Sequence, residues 1–267
     1  MHARKSVAAV VGIAALGLST LTAAGTAGAA TAAPCADGVL HAGTYGTVVV
    51  TGECAMEDGA TITIRHDLIV APGAVFDAQF HGVLHIEGNV VAQRGSMVGL
   101  GCTDAHPCTS DPQGSEDAPP PPVDRTGDSY RVDRNVVLNQ VFDAAINGVH
   151  AGGNVVSSGG GPGYRMDPWI PFSIKDDSIG GNLVVTGLRT TWFGVIRTEV
   201  GGNVVLQDIK AADPDGNEVV SNTIGRNLVC HGMTPAPQLG DAVEGAPEGY
   251  GPNSVGGRAL GQCAAIR

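Results

Sequence analysis

The sequence predicts an all-β fold, a right-handed parallel β-helix (β-solenoid) of stacked coils. The first observation is a repeat: residues 179–185 read Ile-Gly-Gly-Asn-Leu-Val-Val, and altered copies centre on Asn89, Asn135, Asn154, Asn203 and Asn227. With Asp67 and Arg258 at the asparagine position of degenerate first and last copies, the steps are 22, 46, 19, 28, 21, 24 and 31 residues. A step that recurs near twenty residues is typical of stacked-repeat architectures.

The second observation is the form of each copy, a glycine-rich turn followed by three or four aliphatic residues. Such a run is too short for a helix and is rich in β-formers. Because glycine readily takes a positive φ, Gly180-Gly181 and Gly201-Gly202 are predicted to turn the chain into the strand. A second strand is expected about halfway round the coil, as in Phe193–Arg197. Right-handedness is expected because crossovers between parallel strands are almost always right-handed.

The third observation is the fixed asparagine. Identical positions in successive coils stack at the inter-strand spacing of about 4.8 Å. We therefore predict an asparagine ladder that hydrogen-bonds to itself and to the turn amides. Ordinary hairpins at Gly-Asn are the alternative, but they offer no reason for a twenty-residue period.

Taken in order, residues 1–33 are predicted to be a signal peptide. A basic start, Met1 to Lys5, precedes an apolar run from Val7 to Leu18 and small residues up to Ala33. No later stretch offers the roughly 20 apolar residues of a membrane span, so no membrane anchor is expected after cleavage. The remaining chain keeps 15 − 2 = 13 basic and 26 acidic residues, a net charge of 13 − 26 = −13. This acidity disfavours nucleic acid as a partner.

Residues 34–267 are predicted to form one solenoid domain. Residues 34–60 are its expected N-terminal cap and residues 231–267 its C-terminal cap. Between them, residues 103–134 form an acidic loop insertion with four consecutive prolines at 119–122. The 46-residue step is therefore interpreted as one coil with a loop inserted at a corner.

All six cysteines follow the predicted signal peptide, and an even number in an exported chain indicates disulfides. Fifteen connectivities are possible. Proximity in sequence favours the pairs Cys35–Cys54, Cys102–Cys108 and Cys230–Cys263. The first and last would staple the ends of the stack, where open strand edges need covering. A zinc site is the alternative, but no Cys-x-x-Cys or histidine spacing supports it, and neither a metal nor a cofactor is expected.

Scarce aromatic residues gather in two neighbouring repeats. Trp169 and Trp192 are 23 residues apart, about one coil, so they could stack on one outer face. With Tyr164, Arg165 and Arg197 they form the predicted ligand-binding set, because exposed aromatics beside polar groups suit sugar rings. The alternative is that the aromatic side chains fill the core or cover the inserted loop.

A possible catalytic set is Asp176, Asp177 and His231. Polysaccharide hydrolases place one carboxyl group as an acid and a second as a base or nucleophile across the glycosidic bond, and a histidine can orient them. The alternative is that Asp176-Asp177-Ser178 is simply a turn before Gly180.

At the Gly-Gly-Asn-Leu-Val-Val units, the chain resembles secreted bacterial parallel β-helix proteins of the pectin-lyase-like kind, most of which have no assigned activity. The resemblance extends over about residues 61–230. Hydrolase members carry Asn-Thr-Asp, Asp-Asp, Gly-His-Gly and Arg-Ile-Lys motifs in that order. Here only Asp176-Asp177 and His231-Gly232 correspond.

The resemblance implies a secreted, non-enzymatic structural or glycan-contacting protein at the cell surface or in the extracellular medium. Its expected partner is an extracellular polysaccharide or cell-wall glycan, and the protein is expected to be monomeric. A polysaccharide hydrolase or lyase is the alternative function, and self-assembly through the coil ends is a further possibility.

Overall fold

The structure, a computed structural model, describes residues 33–102, 129–163, 171–240 and 251–265. Within these ranges the chain winds as a parallel β-helix, which confirms the predicted fold class. Residues 1–32 of the predicted signal peptide and residues 103–128 of the predicted loop insertion lie outside these ranges.

Each coil passes through three faces in a fixed order. The first face begins after the asparagine position and contains residues 48–50 of Val48–Met56, then Leu68–Val70, Val90–Ala92, Val136–Asn139, Val155–Ser158, Leu183–Thr186, Val204–Gln207, Leu228–His231 and Ala259–Gly261. The second face contains residues 53–56 of the same long strand, then Val75–Ala78, Met97–Gly101, Asp143–Asn147, Pro171–Lys175, Trp192–Ile196 and Asn217–Val220. The third face contains Gly43–Tyr45, Ala60–Ile64, Gly82–Ile86, Ser129–Val132, Val149–Ala151, Ser178–Ile179, Glu199–Val200, Thr223–Ile224 and Ser254–Val255.

Four elements lie outside this pattern. The strand Ala33–Leu40 pairs in parallel with Val48–Met56 at the N-terminal end of the stack. Arg189–Thr190 and Lys210–Ala211 form a two-stranded parallel sheet. The 3-10 helix Gln262–Ala265 follows the last strand of the first face.

The core is the interior of the coils. Residues alternate along each strand, so Leu183 and Val185 are fully buried while Val184 between them faces outward. One continuous apolar cluster results, running from Cys35 at one end of the stack to Cys263 at the other. Burying each Val, Leu or Ile side chain contributes about 1.5–3 kcal/mol, which offsets the chain entropy lost in ordering so many short strands.

The predicted asparagine ladder is present and has one repeated geometry. The Oδ1 atom of each member accepts two hydrogen bonds from the next member, one from its backbone N–H and one from its Nδ2. For Asn182 and Asn203 these distances are 2.9 and 3.0 Å. For Asn154 and Asn182 they are 2.8 and 3.0 Å. The ladder therefore satisfies amides at the corner that no strand pairing reaches.

The ladder has a direction that explains its two degenerate ends. Asp67, the first member, accepts both bonds from Asn89. Among the described residues no ladder side chain lies in the coil before it, so Asp67 does not need to donate a hydrogen bond. At the other end Arg258 donates only its backbone N–H, to Asn227 at 3.0 Å, so its side chain takes no part. A carboxylate is thus suited to the first position, and any side chain to the last.

Glycine serves the corners for two different reasons, and the reason predicted for the Gly-Gly-Asn corner is wrong. Gly180 and Gly181 do not have positive φ. Glycine is favoured there because a Cβ on Gly181 would lie 2.6 Å from Asn154 Oδ1 and 2.7 Å from a carbonyl oxygen. Left-handed glycines lie instead at the other two corners, such as Gly187 with φ 71° between the first and second faces and Gly148 with φ 71° between the second and third faces.

Two of the predicted disulfides are confirmed at the ends of the stack. Cys35–Cys54 joins the extra N-terminal strand to the first complete coil, and Cys230–Cys263 holds the 3-10 helix against the first face at the other end of the stack. Cys102 is also disulfide-bonded, while Cys108, its predicted partner, lies outside the described residues.

The long repeat step is confirmed as one coil. Asn135 bonds directly to Asn89 through its backbone N–H at 3.2 Å and its Nδ2 at 3.1 Å, although the two residues are 46 positions apart. The predicted insertion therefore leaves the stack unbroken.

Candidate functional site

The possible catalytic acids Asp176 and Asp177 point in different directions. Asp176 forms a two-point ion pair with Arg197 in the next coil, with Nε–Oδ1 at 2.7 Å and Nη2–Oδ2 at 2.8 Å. The side chains of Asp176 and Arg197 are only 2% and 11% exposed. Both residues have positive φ, 59° and 51°, so the ion pair also holds a strained corner in place. This pairing leaves neither side chain open to a ligand.

Asp177 belongs to a second, buried ladder inside the solenoid. Its Oδ1 accepts a hydrogen bond from the backbone N–H of Val149 at 2.7 Å. In the following coils the same place is taken by Thr198, Asn222 and Asn253, whose side chains bond to one another's backbone or to core carbonyls. Burial raises the pKa of Asp177 well above its usual range, which favours the protonated, neutral form of this carboxyl.

A neutral carboxyl group suits that ladder because it can donate as an amide or hydroxyl does. Asn222 Nδ2 donates to the carbonyl oxygen of Val195 in the preceding coil at 2.8 Å, and Thr198 Oγ1 donates to Ile174 O at 3.3 Å. In this register the equivalent acceptor for Asp177 is the carbonyl oxygen of Ile146. Asp177 is thus a structural residue of the corner.

His231 lies away from both acids. It ends a strand of the first face, next to Gln207, whereas Asp176 and Asp177 lie at the corner between the second and third faces. The structure therefore does not bring the three possible catalytic residues together.

Trp192 lies on the outside of the second face, but its ring is covered. The side chain crosses Gly194, where a Cβ would come within 2.0 Å of the indole, and only 8% of the residue is exposed. Its Nε1 donates to Glu218 Oε1 at 3.0 Å, and Lys175 Nζ lies 5.0 Å from the ring centroid. Burial raises the pKa of Glu218, against the opposing effect of the Trp192 hydrogen bond.

The remaining members of the predicted ligand-binding set are divided. Tyr164, Arg165 and Trp169 lie outside the described residues, and Arg197 is held by Asp176. Among the described residues, the set does not form an open aromatic platform.

A concave site that the sequence did not indicate lies further along the second face. It is a cavity of about 130 Å³, and its walls include Asp77, Gln79, Met97, Gly99, Asp143 and Ala145. The pairing of three successive coils brings these residues together, since Gly99 is flanked by Asp77 on one side and Ala145 on the other. Gly99 has no side chain of its own in the middle coil, and the Gln79 side chain crosses it, since a Cβ on Gly99 would lie 2.7 Å from Gln79 Oε1.

Asp143 is the unusual residue of this Asp143 pocket. Its Oδ1 is buried and has no hydrogen-bond partner among the described residues. Burial raises the pKa of Asp143 to about 6, partly offset by a hydrogen bond from the backbone N–H of Ala144. By contrast, Asp77 Oδ1 accepts a bond from the backbone N–H of Gln79 at 3.0 Å. A buried carboxyl oxygen without a partner costs stability, which is typical of a group kept for binding or chemistry.

Other polar clusters are local. His85 Nε2 lies 3.0 Å from Asp133 Oδ2, and His81 Nδ1 lies 3.2 Å from Asp58 Oδ1. No group of three or more His, Cys, Asp or Glu side chains among the described residues is placed to hold a metal ion. In the same part of the chain, no helix is long and apolar enough to cross a membrane.

Comparison with known proteins gives no relative. No protein-family model, no curated protein and no solved structure matches the chain.

Proposed function

We propose that the protein is an extracellular, non-enzymatic scaffold that contacts a neutral glycan through the Asp143 pocket. The observation that carries this proposal is the buried, unpartnered Oδ1 of Asp143 in a cavity whose walls come from three successive coils. A sugar hydroxyl donating to that oxygen would supply the missing hydrogen bond, and a bond to an ionised carboxylate contributes about 1.5–3 kcal/mol.

The composition of the pocket supports a sugar as the ligand class. Asp77 and Gln79 add further polar groups, while Met97 and Ala145 give the apolar surface that the C–H faces of a sugar ring require. An anionic glycan would face two carboxylates in a chain of net charge −11, so a neutral one is favoured. The two end disulfides support an oxidising, extracellular compartment.

Non-enzymatic function is supported by the fate of the expected catalytic residues. Asp176 is engaged by Arg197, Asp177 is buried, and His231 lies on another face. One observation favours the alternative, a glycan hydrolase. The raised pKa of Asp143 is suited to a general acid, and Asp77 provides a second carboxyl group in the same cavity.

The test is a titration of the protein with neutral oligosaccharides, comparing Asp143→Asn with the control Asp215→Asn, which replaces an exposed turn acid. We expect Asp143→Asn to weaken binding about 10-fold to 100-fold, the loss of one charge-assisted hydrogen bond, and Asp215→Asn to bind normally. Binding by the unchanged protein should also weaken as the pH falls below about 6, where Asp143 takes up a proton. Equal affinity of the two variants would exclude the pocket as the contact.

A further inference from the structure

The first face carries a continuous aliphatic column on its outer surface. Within each strand the middle residue faces outward, and the strand pairing places these residues in register. We call this column the outer aliphatic stripe; its members are Val49, Ile69, Val91, Val137, Val156, Val184, Val205, Val229 and Leu260. The first eight are half-buried by their neighbours and Leu260 is 42% exposed.

The strand segments that carry the stripe contain no charged residue of the Asp, Glu, Lys or Arg type. These segments are residues 48–50 and the other eight strands of this face, and their lack of charge contrasts with the net charge of −11 of the chain. A column of polar residues borders the stripe on one side, from Asn139 through Ser158 and Thr186 to Gln207. The asparagine ladder borders it on the other. By contrast, the second face carries Asp143, Lys175 and Glu218, so charge is excluded from one face in particular.

We propose that the first face is the interface of an antiparallel dimer formed with a second copy of this chain. The row spacing of the stripe is set by the coil repeat, about 4.8 Å, and a second copy necessarily has the same spacing. Rows of one stripe can therefore meet rows of the other in register along the whole face. Sheets that pack face to face inside proteins are about 10 Å apart and use similar contacts between aliphatic side chains.

The ends of the asparagine ladder favour the antiparallel arrangement. Asp67 precedes the row of Ile69, and the exposed Arg258 precedes the row of Leu260. A two-fold axis across the face places the asparagine ladders of the two copies side by side, running in opposite directions. Asp67 of each copy then lies opposite Arg258 of the other copy. Ile69 then faces Leu260, and Val137 faces Val205. Two symmetric ion pairs would close the two ends of the interface.

The area is sufficient for a specific contact. Eight rows at about 4.8 Å give a length of about 38 Å, and three outward columns give a width of about 15 Å. The face then measures about 600 Å² per copy and about 1,200 Å² for the pair, which reaches the lower end of stable protein–protein interfaces. The proposed dimer differs from the monomer expected from the sequence, and it leaves the second face, with the Asp143 pocket, open.

The experiment is sedimentation velocity of the disulfide-bonded protein up to about 100 μM, a range that detects an interface at the low end of the size scale. We expect a dimer. In Val137→Lys/Val205→Lys each lysine meets a lysine of the other copy, and the dimer dissociation constant should rise more than about 100-fold. In Val137→Lys/Val205→Glu each lysine meets a glutamate, so dimerisation should largely return.

Thr63→Lys/Thr223→Lys, with both changes outward on the third face, is the matched control and should remain dimeric. A monomer at every concentration would overturn the proposal, as would equal dissociation of the two charge variants. Co-sedimentation of a monomer with an insoluble neutral polysaccharide, lost in Val137→Lys/Val205→Lys, would instead assign the face to glycan.

Discussion

The direction of the asparagine ladder makes a quantitative prediction about Asn182. Its side chain takes part in three hydrogen bonds, donating to Asn154 Oδ1 at 3.0 Å and accepting two from Asn203 at 2.9 and 3.0 Å. At about 1 kcal/mol net for each, Asn182→Ala should lower the free energy of unfolding by about 3 kcal/mol. The loss leaves the backbone N–H of Asn203 without its partner at the corner.

Replacing Asn182 by aspartate tests the direction itself. Asn182→Asp keeps both acceptors but sets a carboxylate oxygen against Asn154 Oδ1, which is also an acceptor, so we expect a loss of about 2–3 kcal/mol at pH 7. Asp67→Asn is the matched control. Because Asp67 only accepts within the ladder, an amide keeps both bonds from Asn89, and the loss should stay below about 1 kcal/mol.

The two variants should also differ in pH dependence. The introduced carboxyl at position 182 is more easily ionised when unfolded than in the ladder, so its folded pKa is raised above the unfolded value. Stability is then retained at low pH and lost as the pH rises through that range, because only the protonated acid can donate to Asn154. Urea unfolding at pH 4 and pH 7 measures the difference. Equal losses for Asn182→Asp and Asp67→Asn at pH 7 would refute a directional ladder.

Three further predictions concern the acids. Asp143→Asn should raise stability by about 3 kcal/mol at pH 7, the cost of a carboxyl pKa raised from 3.8 to about 6. The gain should fall below about 1 kcal/mol at pH 4, which lies close to the unfolded pKa; urea unfolding at the two pH values measures it, and a gain that stays near 3 kcal/mol at pH 4 would contradict the cause. Asp177→Asn should be tolerated. The unchanged protein should lose stability as the pH rises above about 4, because the folded pKa of Asp177 is raised, and the variant should not show this loss. A severe loss of stability in the variant at pH 7 would mean that the ladder uses the carboxylate form. Arg197→Met should cost about 3–5 kcal/mol because it leaves the buried carboxylate of Asp176 without its partner, and Arg197→Met/Asp176→Ser should cost less than the sum of the single changes; additive losses in this double-mutant cycle would argue against the ion pair.

Much of the fold could be predicted from the sequence because one residue type, asparagine, recurs at the same position of most repeats. An asparagine recurring after a glycine turn identified the ladder, including Asp67 and Arg258 at its ends, and the strands of the first face follow directly from it. The buried ladder was not predicted from the sequence because three different residue types, Asp177, Thr198 and Asn222, fill its positions. Their shared role is visible only once the coils are in register.

The candidate site could not be predicted for a related reason. Asp143 lies in a strand with no distinguishing motif, and its pocket forms only once the strands of Asp77, Gly99 and Ala145 are in register, with Ala145 46 residues after Gly99 across the coil that contains the predicted insertion. Conversely, the pair Asp176-Asp177 looked catalytic because paired carboxylates suit glycoside hydrolysis. The corner between them separates their directions, placing one in an ion pair and the other in the core.

The most direct test of the account is to incubate the disulfide-bonded protein with a panel of soluble neutral polysaccharides and follow binding, reducing ends and unsaturated products together. The account predicts binding to at least one of them, weakened by Asp143→Asn, with no product formed. Product formation that Asp143→Asn abolishes would contradict a non-enzymatic role and make Asp143 a catalytic acid. Binding that Asp143→Asn leaves unchanged would contradict the proposed site.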